Sequence, residues 1–97
     1  MAAVLDKPFI LRLYVTDATP KSARAIVNAR RLLEEHLHDR YCLEILNIAE
    51  NVAQAMEDQI VCAPTLLRLA PLPARRIIGD MSDVARVLKG LDVPEPR

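Results

Sequence analysis

The first regular pattern along the chain is the run FILRLYV at residues 9–15, which is rich in β-branched and aromatic side chains. Such residues favour a strand, whose alternation divides them between two faces. One face would carry Phe9, Leu11, Leu13 and Val15, and the other Ile10, Arg12 and Tyr14. Because both faces are largely apolar, we predict a central strand that is covered on both sides.

A helix follows, and two residues mark its beginning. Thr19 can act as the N-cap, and Pro20 occupies the first helical position, where its missing N–H costs nothing. Helical spacing as far as residue 38 then predicts one packed face and one polar face. The packed face comprises Ala23, Ile26, Val27, Leu33 and Leu37, and the polar face comprises Lys21, Arg24, Asn28, Arg31 and Glu35.

Residues 41–48, YCLEILNI, predict a second strand. A strand, a long helix and another strand in succession imply a right-handed crossover between parallel strands. Asn51 can then cap a shorter helix, because apolar residues recur at helical spacing after it. This second apolar stripe comprises Val52, Ala55, Met56 and Ile60.

The stretch CAPTLLRLAPLPARRIIGDMS at residues 62–82 is interrupted by three prolines and one glycine. Pro64 lacks the N–H that a central ladder needs, so it belongs at the entry of a strand or at a sharp bend. Residues 65–70 and 74–78 would pair as an antiparallel hairpin around Pro71-Leu72-Pro73, and Gly79-Asp80 would end it.

A final helix is predicted after this hairpin. Ser82 would be its N-cap, and Gly90 lies where the helix would end. Its apolar positions, at i, i+3, i+4 and i+7, are Val84, Val87, Leu88 and Leu91. Pro94 and Pro96 prevent further regular structure.

The predicted order βαβαββα, with one parallel pair and one terminal hairpin, indicates an α/β fold of the thioredoxin-like type. This is a three-layer domain with a mixed four-stranded sheet. Ninety-seven residues suffice for one small core, so we expect residues 1–97 to form a single domain.

Composition and charge narrow the classes of function. Thirteen basic and thirteen acidic residues leave no net charge to attract nucleic acid or a membrane, and only 3% of residues are aromatic. No stretch approaches a membrane span and no signal-type segment is evident at residues 1–7, so a cytoplasmic protein is expected. Residues 41–67 contain four acids and no base, whereas basic residues gather near Lys21 and near Arg75. This uneven distribution suits docking on another protein.

The cysteines argue against redox chemistry of the usual kind. A thioredoxin-like oxidoreductase needs a thiolate at the start of its first helix, and that place holds Thr16-Asp17-Ala18-Thr19. Cys42 and Cys62 are too far apart for a CxxC motif, and we expect both to be reduced thiols packed in the interior. Cys62, near Pro64, remains the one candidate for a redox thiol.

Other chemistry has little support in the sequence. His36 and His38 point to different sides of a helix, so no metal site is predicted. The chain lacks a glycine-rich phosphate loop and a nucleophile elbow, so we expect neither a cofactor nor an enzyme. Arg68, Arg75 and Arg76 would gather beside the hairpin, either as a binding cluster or as ordinary surface arginines.

Three segments resemble the KaiB family, the small circadian-clock proteins that bind the KaiC ATPase. They are LRLYVTDATPKSARA, APTLLRLAPLPARRIIGDMSD and LKGLD. The resemblance implies a non-enzymatic clock protein that binds the N-terminal ATPase ring of a KaiC-type hexamer as a thioredoxin-like monomer, and KaiA where that protein exists. It also implies a second, rearranged fold, βαββααβ, in a homotetramer.

By position, the resemblance assigns two sets of residues. The candidate surface for the KaiC-type partner comprises Lys21, Arg24, Arg68, Arg75 and Arg76. The candidate fold-switch residues are Pro64, Pro71, Pro73, Gly90 and Asp92. Two alternative functions stay open, namely a thioredoxin-like redox protein without CxxC and the sensor domain of a SasA-type kinase.

Overall fold

The elements of the chain follow the predicted order. The computed structural model describes residues 8–16 and 19–93, so the predicted loop residues 17–18 and the prolines at 94 and 96 lie outside the described residues. The elements are β1 (Phe9–Val15), α1 (Pro20–Leu37), β2 (Tyr41–Asn47), a 3₁₀ turn (Ile48–Glu50), α2 (Val52–Glu57), β3 (Thr65–Ala70), β4 (Arg75–Ile78) and α3 (Val84–Leu91).

The four strands form one mixed sheet in the order β2-β1-β3-β4. β1 runs parallel to β2 and antiparallel to β3, and β4 closes the sheet as the antiparallel partner of β3. This topology confirms the thioredoxin-like fold, the parallel crossover and the central position of β1. It also makes β3 a central strand.

One face of the sheet forms the main core with α1 and α3. Leu11, Leu13, Leu66 and Ile77 point to this face, where they join buried residues of both helices. The predicted packed face of α1 was partly wrong, because Val27 is 54% exposed and Ala23 is also exposed. The residues of α1 that are buried instead are Ser22, Ala25, Ala29, Leu32, Leu33 and Leu37. Ser22, Ala25 and Ala29 have small side chains, which a hydrophobic pattern detects poorly.

The short helix α2 differs more from its prediction. It ends at Glu57, and Ala55 is its one buried residue, whereas Met56 is 73% exposed. Asn51 makes no side-chain capping hydrogen bond. A side-chain cap is found at the preceding 3₁₀ turn, where Asn47 accepts a hydrogen bond from the Ala49 N–H.

The end of α2 is fixed to the second face of the sheet by a polar hub centred on Asp58. The Tyr14 hydroxyl donates to Asp58 Oδ2 at 2.6 Å, and Arg12 Nη1 donates to the same oxygen at 2.9 Å. Arg76 donates to the backbone carbonyls of Asp58 and Gln59. α2 is therefore held mainly by polar contacts to β1 and β4.

The ends of α3 shift slightly from their predicted positions. Asp83, rather than Ser82, is the N-cap and accepts a hydrogen bond from the Arg86 N–H. Gly90 lies inside the last turn, and Asp92 adopts the left-handed conformation, with φ 59° and ψ 38°, that ends the helix. Gly79 ends β4 as predicted. Its φ is 124°, a backbone conformation that residues with a side chain rarely adopt.

Gly90→Ala tests the packing of α3 against β4. Alanine favours helix over glycine by about 1 kcal/mol, but a Cβ here would overlap with Ile77 Cδ1. Cδ1 is the far end of its side chain and can rotate away, at a cost of about 1 kcal/mol. Because these two effects nearly cancel, we expect little change in unfolding free energy from Gly90→Ala alone. In an Ile77→Val background, which lacks Cδ1, Gly90→Ala should raise the unfolding free energy by nearly the full helix preference of about 1 kcal/mol.

Urea unfolding of the two single variants, the double variant and the wild type measures this coupling. Equal gains from Gly90→Ala in both backgrounds would contradict the contact.

Because of Tyr14, the stability of the fold should depend on pH in the alkaline range. Burial, followed by the hydrogen bond to Asp58, raises the pKa of Tyr14 to about 12 from an ordinary value of 10.0. The neutral phenol is thus favoured in the folded state, so its contribution is fully present below pH 10 and is lost as pH rises towards 12. The expected loss is about 1.4 kcal/mol of unfolding free energy per pH unit in that window.

Urea unfolding between pH 9 and pH 12 measures this loss, and phenolate absorbance follows the titration itself. Tyr14→Phe should remove most of the step, whereas Tyr41→Phe should remove less of it, because burial and then a hydrogen bond to Glu34 also raise the pKa of Tyr41. An unchanged slope in Tyr14→Phe would show that other groups cause the loss.

Candidate functional site

The five sequence-predicted binding residues occupy three separate places. Lys21 and Arg24 lie in the first turns of α1, and both are exposed. Arg75 and Arg76 are exposed on β4, an edge strand. Arg68, on the central strand β3, is only 2% exposed. The predicted surface is thus divided between the two ends and the two faces of the sheet.

At the start of α1, the basic residues adjoin the turn that follows β4. Arg24 Nε lies 3.2 Å from Asp80 Oδ2, and Asn28 donates to the Asp80 carbonyl at 2.8 Å. Hydrogen bonds from Ser82 and then from Arg24 lower the pKa of Asp80. These contacts hold the turn at residues 79–82 against α1.

An open groove of about 410 Å³ lies beside this turn. Lys21 and Arg86 line it together with Asp80 and Asp83, so it carries both signs of charge. Ile78, which is 44% exposed, contributes an apolar wall. A mixed lining of this kind offers contacts to protein side chains rather than a concentrated charge for a small ion.

Arg75 and Arg76 do not form the expected arginine cluster. They are consecutive in a strand, so their side chains point to opposite faces of the sheet. Arg75 Nη2 lies 3.1 Å from Asp92 Oδ2 at the end of α3, whereas Arg76 contacts the backbone at the end of α2. Both guanidinium groups remain exposed, but on different sides.

Arg68 corrects the sequence prediction most clearly, because in this fold it belongs to the interior. Its Nη1 donates to the Leu91 carbonyl, and its Nη2 donates to the Pro73 carbonyl at 2.6 Å. Its Cζ lies 5.6 Å from the centroid of the Phe9 ring. Because β3 is covered on both faces, a charged residue within it is buried, and that burial lowers its pKa.

The expectation of packed cysteines was wrong. Cys42 and Cys62 are both exposed. Cys42 lies on the edge strand β2, on the face that no long helix covers, and Cys62 lies in the loop before β3. The sequence placed Cys42 in a strand and Cys62 before Pro64, but apolar character alone did not show that either position is exposed.

Pro64 is buried at the entry of β3, as the sequence suggested. The peptide bonds that precede Pro64, Pro71 and Pro73 are all cis.

Sequence reasoning missed the acidic partners of Tyr14 and Arg24. Asp58 and Asp80 lie 44 and 56 positions from Tyr14 and Arg24, which they bind. No local pattern could indicate such pairs, since they form only when the sheet brings distant segments together.

Neither a metal site nor a membrane-spanning helix is found among the described residues. Within residues 8–16 and 19–93, no cluster of His, Cys, Asp or Glu is suited to hold a metal ion. In the same part of the chain, no helix has the length and apolar character needed to cross a membrane.

Comparison with known proteins identifies a family. The sequence model of the KaiB domain matches residues 12–93. The circadian clock oscillator protein KaiB of Microcystis aeruginosa is 42% identical over 91 residues, which cover 94% of this chain and 88% of the relative. The protein of the same name from Synechococcus elongatus is 45% identical over 87 residues, covering 90% of this chain and 85% of the relative.

Solved structures agree on the fold. The N-terminal domain of SasA from Synechococcus elongatus superposes with a TM-score of 0.71 at 19% identity, covering 94% of this chain and 90% of that domain. The thioredoxin Deadhead of Drosophila melanogaster gives a TM-score of 0.70 at 9% identity, covering 90% and 81% of the two chains. At such identities these likenesses concern the fold alone, whereas the sequence matches over most of the chain show that it belongs to the KaiB family.

Proposed function

We propose that this chain is a non-enzymatic circadian clock component that binds the N-terminal ATPase ring of a KaiC-type protein. In its thioredoxin-like state it would regulate the phosphorylation and ATPase cycle of that partner, with fold switching as the slow step. The observation that carries the proposal is the KaiB domain match over residues 12–93, which includes every candidate binding residue. Relatives at 42% and 45% identity are named as clock oscillator proteins.

The exposed basic residues support a protein-binding surface. Lys21, Arg24, Arg75 and Arg76 remain in the proposal because each is exposed in the thioredoxin-like state. Lys21 also lines the groove beside the turn at residues 79–82, which offers a partner a shaped and partly apolar surface. Exposed charges of this kind increase association rates more than they increase the lifetime of a complex.

The proposed fold switch concerns the second half of the chain. Gly90 and Asp92 lie at the end of α3, and the ion pair between Asp92 and Arg75 is an exposed contact of modest strength. Pro64, Pro71 and Pro73 flank the strands that would change partners. Both packings can be populated if their free energies lie within a few kcal/mol of each other. A homotetramer of the alternative fold, and capture of KaiA where it exists, belong to the same proposal.

The alternatives from the sequence are weaker. A SasA-type sensor domain shares the fold at 19% identity, well below the 42% and 45% found for KaiB proteins. The exposure of Cys62 is the one observation in favour of a redox role. Thiol-dependent reductase activity that disappears in Cys62→Ser would support that role, and we expect no such activity.

Charge reversal at the start of α1 tests the proposed surface. Lys21→Glu should weaken binding to an immobilised KaiC-type hexamer about fivefold, mainly through slower association, because a favourable charge at the rim becomes unfavourable. Arg31→Glu is the matched control, since it makes the same charge change on an exposed residue of the same helix. It lies ten positions further along, or about 15 Å away.

Binding should be measured after long incubation and with each nucleotide and phosphorylation state of the partner. If the wild type binds in none of them, the proposed function is wrong. Equal losses in the two variants would instead show that binding does not depend on the start of α1.

A further inference from the structure

Arg68 connects three segments that are distant in sequence. Its two terminal nitrogens donate to the Leu91 carbonyl at the end of α3 and to the Pro73 carbonyl in the turn between β3 and β4. Its guanidinium also lies over the Phe9 ring at the start of β1. The planar fork of arginine suits this arrangement, because it directs donors to two acceptors at once. One buried side chain thus joins the first strand, the hairpin turn and the last helix.

The position is costly for a charged group. Among the described residues, no carboxylate lies within ion-pair distance of Arg68, and its buried Nε has no hydrogen-bond partner. Burial therefore acts against the charge, as the lowered pKa of Arg68 indicates. Truncation would nevertheless remove the donor from two backbone carbonyls, of which the Leu91 carbonyl lies in a buried hydrogen bond, and a buried acceptor that loses its partner is destabilising. The contacts that Arg68 makes are thus specific to this arrangement of the chain.

The neighbouring arginine reinforces the same end of α3. Arg68 and Arg75 are paired across β3 and β4, so their side chains share a face of the sheet. Arg68 holds the carbonyl of Leu91, and Arg75 holds the carboxylate of the next residue, Asp92. Consecutive residues that end the helix are therefore fixed by paired positions of the hairpin. The buried contact excludes water, whereas the ion pair of Arg75 is exposed.

We propose that Arg68 is a positioning residue that sets the fraction of chains in the thioredoxin-like, binding-competent state and makes no contact with the partner. This proposal rests on the proposed function and replaces the sequence-based assignment of Arg68 to the binding surface. A positioning residue and a contact residue differ in their kinetic effects. When only a fraction of chains is competent, the apparent dissociation constant rises in inverse proportion to that fraction. The complex, once formed, should dissociate at an unchanged rate.

Two substitutions separate the geometry of Arg68 from its charge. Arg68→Met keeps an apolar stem and removes both donors, so amide exchange protection of residues 84–93 should fall by at least about tenfold. Arg68→Lys keeps the charge but cannot reach two acceptors as a fork does, so we expect a smaller loss in a chain that still folds. Arg76→Met is the matched control for exchange. Arg76 also donates to two backbone carbonyls, but it is exposed and water can replace it.

Hydrogen exchange and heteronuclear NMR give the competent fraction without any partner. Binding to an immobilised KaiC-type hexamer then gives the apparent affinity and the dissociation rate. The proposal expects the affinity of Arg68→Lys to fall by the same factor as its competent fraction, with the dissociation rate unchanged. A faster dissociation rate with an unchanged fraction would overturn it and make Arg68 a contact residue.

The proposal and the proposed function can fail separately. If the wild type binds no KaiC-type partner, the function is wrong, but the exchange measurements still test the role of Arg68 in holding α3. Wild-type exchange in both Arg68 variants would overturn that role. So would an equal loss of protection in Arg76→Met, because loss of any arginine on the hairpin would then have the same effect.

Discussion

The antiparallel pairing of β3 with β1 is the constraint on which the rest of the structure depends. It places a strand from the second half of the chain in the middle of the sheet, beside the first strand. Both strands must then be covered on two faces, which brings Tyr14 and Arg68 inside together with the leucines of the core. The polar groups of these residues need partners there, since buried polar groups without hydrogen bonds are costly.

Two polar attachments result, one on each face. On the face with α1 and α3, Arg68 joins the end of the last helix to the hairpin turn. On the other face, Asp58 joins the end of α2 to Tyr14 and Arg12. Hydrogen bonds depend strictly on geometry, whereas apolar contacts can re-form in many packings. The second half of the chain is thus held in the thioredoxin-like arrangement by specific contacts on both faces of the sheet.

The sequence allowed the order of the elements and the sheet topology to be predicted, because Thr19 and Pro20 mark a helix start and strand-like runs alternate with helical ones. It predicted that Leu33, Leu37 and Ala55 pack, but it missed Ser22, Ala25 and Ala29 of α1, because a hydrophobic pattern detects small side chains poorly. The location of Arg68 could not be predicted either, since charged residues are rarely buried. The partners of Arg24 and Tyr14 depend on contacts between segments more than 40 positions apart.

The most direct test of this account is the secondary structure of residues 51–93 in solution, measured by backbone chemical shifts in heteronuclear NMR. The thioredoxin-like fold predicts strand shifts at 65–70 and 75–78 and helical shifts at 84–91. These shifts would show that the chain rests in the state that we propose binds its partner. Helical shifts within residues 65–78, together with strand shifts at 84–91, would contradict the thioredoxin-like fold as the resting state and assign the resting chain to the rearranged fold.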